Sequence, residues 1–449
     1  MTTTAAQDTR RLLAWLGAGL LAGGMPVHEV EADLQEAGAA LGHEGIEVAA
    51  SPTGLWVALT SGASATFESV DGGVRLDQLA EVTAVHTALT SGALDPTDAL
   101  ARLAVLRRHP HRYPAYGLPL GLFLVSTGIA LVLAPAWSSV VFAAALSQVV
   151  AGLMLLSGRN LLVSTLLPFL AAFATGIVAF AAAERGLIDA PLWSLVPPIA
   201  ALLPGALIVT GLTELSAGAM MAGTARLTYG ATQLLLFTLG VGAAVAALGL
   251  PVSRITGIRP DELGWWAPLV GLLIITVGIS LLESVPPGLV PALLVTIVAT
   301  FLAQSLGHAT GQGPWVGAFL GACAASLVAT VVEFVRPQVP RVVAFLPSFW
   351  LLVPGSLGLV SVAQIESSPA AGVVAAAEVL VIVAAIALGV VVGAGLAQPL
   401  RSVARRLGPA RRRVVLQFAR RVARNPRKVK GGHRPGEPTA VRHAKGDDE

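Results

Sequence analysis

The chain has 449 residues, 55% of them hydrophobic and only 12% charged, with a mean hydropathy of +0.75. So few charges on so apolar a chain exclude an ordinary soluble protein and indicate a polytopic membrane protein. The charge is segregated: residues 1–110 carry 6 Lys+Arg and 13 Asp+Glu, residues 111–400 carry 8 and 9, and residues 401–449 carry 15 and 4, so the formal net charge of +3 is set by the tail.

Arg10 and Arg11 precede the run LLAWLGAGLLAGGM, which imitates a secretory or twin-arginine signal. The run is too short to span a bilayer, and no small-residue cleavage site follows it. Pro26 then opens a segment in which Val27, Val30, Leu34, Ala37 and Leu41 recur at helical spacing. We read two packed helices of a soluble domain, with a signal peptide as the alternative. Two strands are expected around Ile46 to Ala49 and Leu55 to Leu59, joined by a turn at Ser51-Pro52-Thr53-Gly54, and a third from Ser64 to Val70. Helices from about Asp77 to Leu89 and from the cap at Asp95 to Leu106 complete a small α+β domain over residues 1–112.

Ten apolar segments follow, at 117–136, 138–157, 161–183, 191–213, 229–250, 264–282, 286–305, 314–335, 340–363 and 370–397. Each approaches the twenty-odd residues that cross a bilayer. Shifting the first five by 150 positions lands on the second five, which divides the membrane part into residues 113–255 and 256–400. Five is odd, so the second set inserts upside down relative to the first, the inverted-repeat plan of secondary transporters. With the N-terminus cytoplasmic, the inner side receives Arg107, Arg108, Arg112, Arg159, Arg226, Arg336, Arg341 and the basic tail, and the outer side only Arg185, Arg254 and Arg259. This bias favours both termini inside. In the tail, residues 401–424 alternate basic and apolar positions, which suits a helix on anionic lipid; the remainder to residue 449 reads as partly disordered. Nucleic-acid binding by the tail is the weaker alternative and is not expected. The single cysteine, Cys323, excludes an intramolecular disulfide and suggests no thiolate metal site.

One pattern occurs twice within these spans. Pro197, Pro204 and Gly205 are matched 150 positions on by Pro347, Pro354 and Gly355. Proline removes a backbone N–H, and the adjacent glycine loosens the next turn. Inside a bilayer an interrupted backbone is tolerated only where protein buries it or it lines a watery cavity. Paired interruptions in two halves of a chain mark a transporter's binding site. A simple proline kink is the alternative reading of each.

An acidic N-terminal domain carrying GMPVHEVEADLQEAGAALG and IEVAASPTGLWVAL, fused to ten spans with LLPGALIVTGLTEL in the fourth and LLVPGSLGLV in the ninth, resembles the threonine/serine exporter family of bacterial membrane proteins. The likeness covers residues from about 12 to 397. It implies efflux of small hydroxy amino acids driven by the proton motive force, in the cytoplasmic membrane, and it raises a hydrolase activity of the N-terminal domain as an alternative. Export of another small polar or carboxylated solute is a further alternative. Ala134-Pro135-Ala136 stands where family members often carry an acidic pair, and the basic tail is outside the shared region.

A hydroxy amino acid needs partners for its carboxylate, ammonium and hydroxyl groups. Helices starting after Pro204-Gly205 and Pro354-Gly355 offer free N–H groups and a positive dipole end to a carboxylate. Thr210, Thr213, Ser356 and Gln364 are the candidate hydroxyl partners, with ordinary helix packing as their alternative role. Ionisable residues within spans are functional candidates by default. Glu378, deep in the tenth span, is expected to point into the bundle and carry a proton; Glu214, closing the fourth span, is the second carboxylate. No cofactor or metal is expected: His28-Glu29-Val30-Glu31 lacks the second histidine of HExxH. The expected partners are an amino-acid substrate, protons, and anionic lipid at the tail. The sequence leaves a homo-oligomer open.

Overall fold

A computed structural model describes residues 3–70, 72–106, 111–113, 116–133, 136–250, 262–336, 339, 341–352 and 369–399. The N-terminal region is built around α1 (Thr3–Ala22), whose Leu12, Leu13, Leu16 and Leu20 are fully buried. α2 (Val27–Ala40), α3 (Leu76–Thr90), α4 (Pro96–Leu106) and a three-stranded antiparallel sheet wrap it. The sheet runs β1 (Glu47–Ser51), β2 (Gly54–Ala58), β3 (Thr66–Ser69), with Ala49 opposite Trp56 and Trp56 opposite Phe67. Leu55 and Val57 face the core, while Trp56 and Phe67 stack outward with ring centroids 4.8 Å apart. The apolar run that imitates a signal is therefore the spine of this domain. Gly17 and Gly19 on α1, and Gly23 just after it, give their neighbours close access: a Cβ at Gly17 would collide with Leu34 and Leu55, one at Gly19 with Val82, and one at Gly23 with Leu79.

The rest of the described chain is helical: α5 (Gly117–Leu133), α6 (Trp137–Ser157), α7 (Leu161–Glu184), α8 (Pro191–Ile199), α9 (Gly205–Ser216), α10 (Met220–Leu248), α11 (Trp266–Leu282), α12 (Val290–Ala309), α13 (Pro314–Val335), α14 (Arg341–Phe345), α15 (Phe349–Leu352) and α16 (Pro369–Leu396). Local chemistry sets several ends. Asn160 caps α7 by accepting from Leu162 N at 2.9 Å, and Gly249, left-handed at φ 64°, closes α10. Among the described residues, six helices are long and apolar enough to cross a membrane, or seven if α8 and α9 form one bent span. Three apolar helices are shorter: Gly117–Leu133, Trp266–Leu282 and Val343–Leu352. The expected ten segments thus all coincide with helices, in the ninth case only over its described first part.

Two kinds of close crossing hold these helices. α5 and α11 meet through four glycines. A Cβ on Gly128 would lie 2.7 Å from the Gly271 carbonyl, one on Gly271 2.7 Å from the Gly128 carbonyl, and one on Gly278 3.0 Å from that of Gly121. Only hydrogen at these positions lets the two backbones touch. α10 meets α7 where Gly240 packs on Phe169, Ala172 and Phe173; α16 meets α13 where Gly389 packs on Phe319, Ala322 and Cys323.

The N-terminal domain packs directly on this bundle. Its Leu12, Val30 and Val82 share one continuous core with Ile275 and Ile279 of α11, Leu293 of α12 and Val343 of α14.

Candidate functional site

The first Pro-Gly motif breaks its span. α8 tightens into a 3-10 turn over Ala200–Leu202, Leu203 is extended, and Pro204 stands at the N-terminal boundary of α9. The two halves are bent by 61°. The first helical bond of α9 is Ile208 N to Pro204 O at 3.0 Å, so the N–H groups of Gly205, Ala206 and Leu207 have no partner within the helix. Pro204 and Gly205 are buried and Thr210 is half-buried. Thr213 is buried, and its hydroxyl donates to Val209 O at 2.9 Å. Its proton is thus committed to its own helix, while its oxygen can still accept.

α9 packs against the ninth-span segment. Val209 shares a core cluster with Phe349 and Leu352 of α15, and with Ile382 and Ile386 of α16. Beside this cluster two buried hydroxyls, Ser348 Oγ before α15 and Ser326 Oγ on α13, make no hydrogen bond. Sequence reasoning missed both, because serine in a membrane helix is ordinarily a packing residue. Pro354, Gly355, Ser356 and Gln364 lie outside the described residues.

Glu378 differs from the expectation. Its side chain is exposed rather than turned into the bundle. It shares a helical face with Ile382, Ile386, Gly389 and Gly393, which do pack inward. However, α16 and α13 run parallel, with Gly389 against Phe319 and Gly393 against Ser326, and α13 begins only at Pro314. Eleven residues before Gly389, Glu378 stands past the start of that neighbour. The face was legible, but the depth depends on where the neighbouring helix begins.

Glu214 is fully buried at the far end of α9. It accepts a hydrogen bond from Val27 N at 2.9 Å and pairs with Arg226 Nε at 3.1 Å, while Arg226 also donates to Met25 O at 3.3 Å. The carboxylate thereby caps α2, whose boundary residue Pro26 supplies no side-chain cap. A second node joins the same segment to the ninth-span helix. Arg341 donates to both oxygens of Glu29, at 2.7 and 2.8 Å, and its backbone N–H donates to Glu333 Oε1 at 3.2 Å. The stretch from Met25 to Glu29, whose last two residues open the HEVE segment rejected as a zinc motif, thus contacts α9, α10 and α14. Among the described residues no group of three or more His, Cys, Asp or Glu is placed to hold a metal.

Two acids near these contacts have raised pKa values. Burial pushes Asp33 up to about 6, opposed chiefly by the nearby His86. Glu283, just after α11, is pushed up to about 7 by burial, opposed by a hydrogen bond from the Leu76 N–H and by the charge of Arg75.

No curated protein and no solved structure matches this chain. Residues 11–248, more than half of it, match the model of the family described as putative threonine/serine exporter. That stretch contains the N-terminal spine, the Val27 and Glu214 contact and the broken fourth span. A multi-pass helical bundle with this match is a member of the threonine/serine exporter family.

Proposed function

We propose that the protein is a secondary exporter of threonine, serine and similar small hydroxy amino acids, working by proton antiport in a bacterial cytoplasmic membrane. The observation that carries this reading is the 61° break at Leu203, Pro204 and Gly205 within an exporter-family chain. It offers unpartnered N–H groups and a helix dipole to a carboxylate without a buried arginine. Pro204, Gly205, Thr210 and Thr213, with Pro354, Gly355, Ser356 and Gln364 of the second motif, form the proposed binding region. Glu214 and Glu378 are the carboxylates proposed for proton coupling.

Ten spans in two inverted repeats fit this function, over residues 113–255 and 256–400, behind the N-terminal domain of residues 1–112. Two observations support that plan. The partners of Gly240, at 169, 172 and 173, correspond after a shift of 150 to the partners of Gly389, at 319, 322 and 323. The same shift exchanges the Gly128 and Gly271 contact with the Gly278 and Gly121 contact. The domain also meets the bundle at Glu214 and Arg226, at Leu282 and Ser284, and at Arg341, three junctions that the ten-span plan puts on one side. With the positive-inside bias this side is the cytoplasm, which receives both termini and brings the basic tail of residues 401–449 to anionic lipid.

The test is efflux of radiolabelled threonine and serine from preloaded cells with and without the protein. We expect faster efflux with the protein, abolished by a protonophore. Efflux unchanged by expression of correctly inserted protein would overturn the exporter reading, and protonophore-resistant efflux the antiport mechanism.

A further inference from the structure

Residues 25–31 touch both halves of the bundle within little more than one helical turn. On one side, Val27 N–H binds the Glu214 carboxylate of α9, and Met25 O receives the Arg226 guanidinium of α10. On the other, both carboxylate oxygens of Glu29 accept from Nη2 of Arg341, the first residue of α14, and Gly24 just before the segment lies against Leu346. Beyond these fastenings α9 meets the continuation of the Arg341 segment: Val209 of α9 packs with Phe349 and Leu352 of α15, which follows α14. Glu214 ends the helix whose other end is the Pro204-Gly205 break, and Arg341 starts the helical segment that leads to the buried Ser348. The segment therefore crosses under the junction of the broken α8–α9 span with the α14–α15 segment and is fastened to both.

We propose that residues 25–31 are a strap that holds α9 and the α14–α15 segment together on the side of the N-terminal domain, and that the break at Pro204 and Gly205 opens to that side only when the strap lets go. This rests on the exporter reading for its role in flux, though not for its effect on access. The two fastenings are unequal. The Glu214 and Arg226 pair is buried, with side-chain exposures of 0% and 7%; the Glu29 and Arg341 pair keeps 29% and 13%. Water can compete for Glu29 as it cannot for Glu214, so the second fastening releases first and the first keeps the strap attached. Release frees the Arg341 end of the ninth span to move from α9 while α2 stays docked.

The experiment uses the full-length protein in proteoliposomes, with Cys323→Ala and Thr210→Cys as the reporter. The rate of labelling by a membrane-impermeant maleimide, added on the side of the N-terminal domain, reads access to the break. Glu29→Gln and Arg341→Gln are each expected to raise that rate about tenfold, since weakening a latch shifts its open population directly. The reciprocal swap, Glu29→Arg with Arg341→Glu, is expected to return it to within about twofold of the reference. In a second arm, without the reporter, Glu29→Cys and Arg341→Cys are joined by a short cleavable bis-thiol reagent. Flux should be lost on linking and recovered on cleavage. Labelling unchanged by either single variant, or linked protein that transports at the unlinked rate, overturns the strap. If the unlinked protein carries no amino acid at all, the exporter reading fails, and the labelling arm still decides the strap.

Discussion

Two carboxylates, Glu214 and Glu283, do the same structural job in different electrostatic surroundings. Each stands at the C-terminal end of a bundle helix, α9 or α11, and each accepts the first N–H of a helix in the N-terminal domain, Val27 of α2 or Leu76 of α3. Both caps answer the same need, because the leading N–H groups of a helix have no partner inside it. Glu214 has a guanidinium at 3.1 Å, so its charge is balanced inside the protein. Glu283 feels Arg75 only as a weaker influence, and burial lifts it to about 7. Burial lifts both carboxyls; at Glu214 the Val27 N–H and the adjacent Arg226 oppose the lift, while Glu283 rises to about 7 and changes charge near neutrality.

The largest expected effect comes from breaking the ionic cap. Glu214→Gln keeps the shape and an acceptor for Val27 N–H but leaves the Arg226 charge buried without its counterion. Removing one member of a buried pair costs about 3–5 kcal/mol. Thermal unfolding of the purified protein should show this as a large fall in midpoint, and the double variant with Arg226→Gln should recover part of it. A midpoint unchanged in Glu214→Gln would mean that the two caps are equivalent.

The titrating cap is expected to give a smaller, pH-dependent effect. A carboxyl whose folded pKa is raised holds its proton when the unfolded chain has lost it. Its contribution is therefore present below the unfolded value of 4.5 and declines as pH rises to about 7. Stability should fall over that window, and Glu283→Gln, which cannot ionise, should flatten the fall by on the order of 1–2 kcal/mol. Asp33, near 6, adds a slope of the same sign in the variant as in the wild type. Denaturant midpoints measured from pH 5 to pH 8 distinguish the two proteins; identical profiles would take Glu283 out of the linkage.

The smallest effect on stability is expected at the opposite end of the helix that Glu214 anchors. Gly205→Ala at the start of α9 improves helix propensity and should change unfolding by less than about 1 kcal/mol. If substrate uses the N–H groups here as proposed, a Cβ beside them should lower efflux about tenfold, the rate cost of roughly 1.4 kcal/mol of lost transition-state binding. A variant with wild-type efflux would show that substrate does not use this helix end.

Much of the fold was legible because its signals are local. The helical recurrence of Val27, Val30 and Leu34 and the turn before Gly54 give the elements from α2 to α4 to within about two residues, whereas α1 begins at Thr3, well before its apolar run, and apolar length locates the bundle helices. The break at Pro204-Gly205 was legible for the same reason, since proline and glycine act on their own backbone. The two nodes were not. Arg226 and Arg341 were visible only as charges on the inner side, because nothing within the sequence neighbourhood of Glu29 names a partner 312 positions away. Glu378 failed in an instructive way: its depth in the tenth segment suggested an inward carboxylate, but exposure depended on α13 starting at Pro314. Ser326 and Ser348 carried no signal at all, because their distinction is an unpaired hydroxyl in a packed interior.

The burial of α1 also bears on how the protein is made. Its apolar run emerges from the ribosome early and resembles what targeting machinery binds, but its packing partners Leu34, Leu55, Leu79 and Val82 all precede the first bundle helix at Gly117. The domain residues that pack on it are therefore synthesised before the first span appears, ahead of the bundle residues that later join the same core. Folding of the domain and recognition of a nascent signal compete for the same helix, and chain order gives folding its chance first. Substitutions that slow the packing of α1, such as a side chain at Gly17, would hand that helix to the targeting machinery and misdirect the topology of everything that follows.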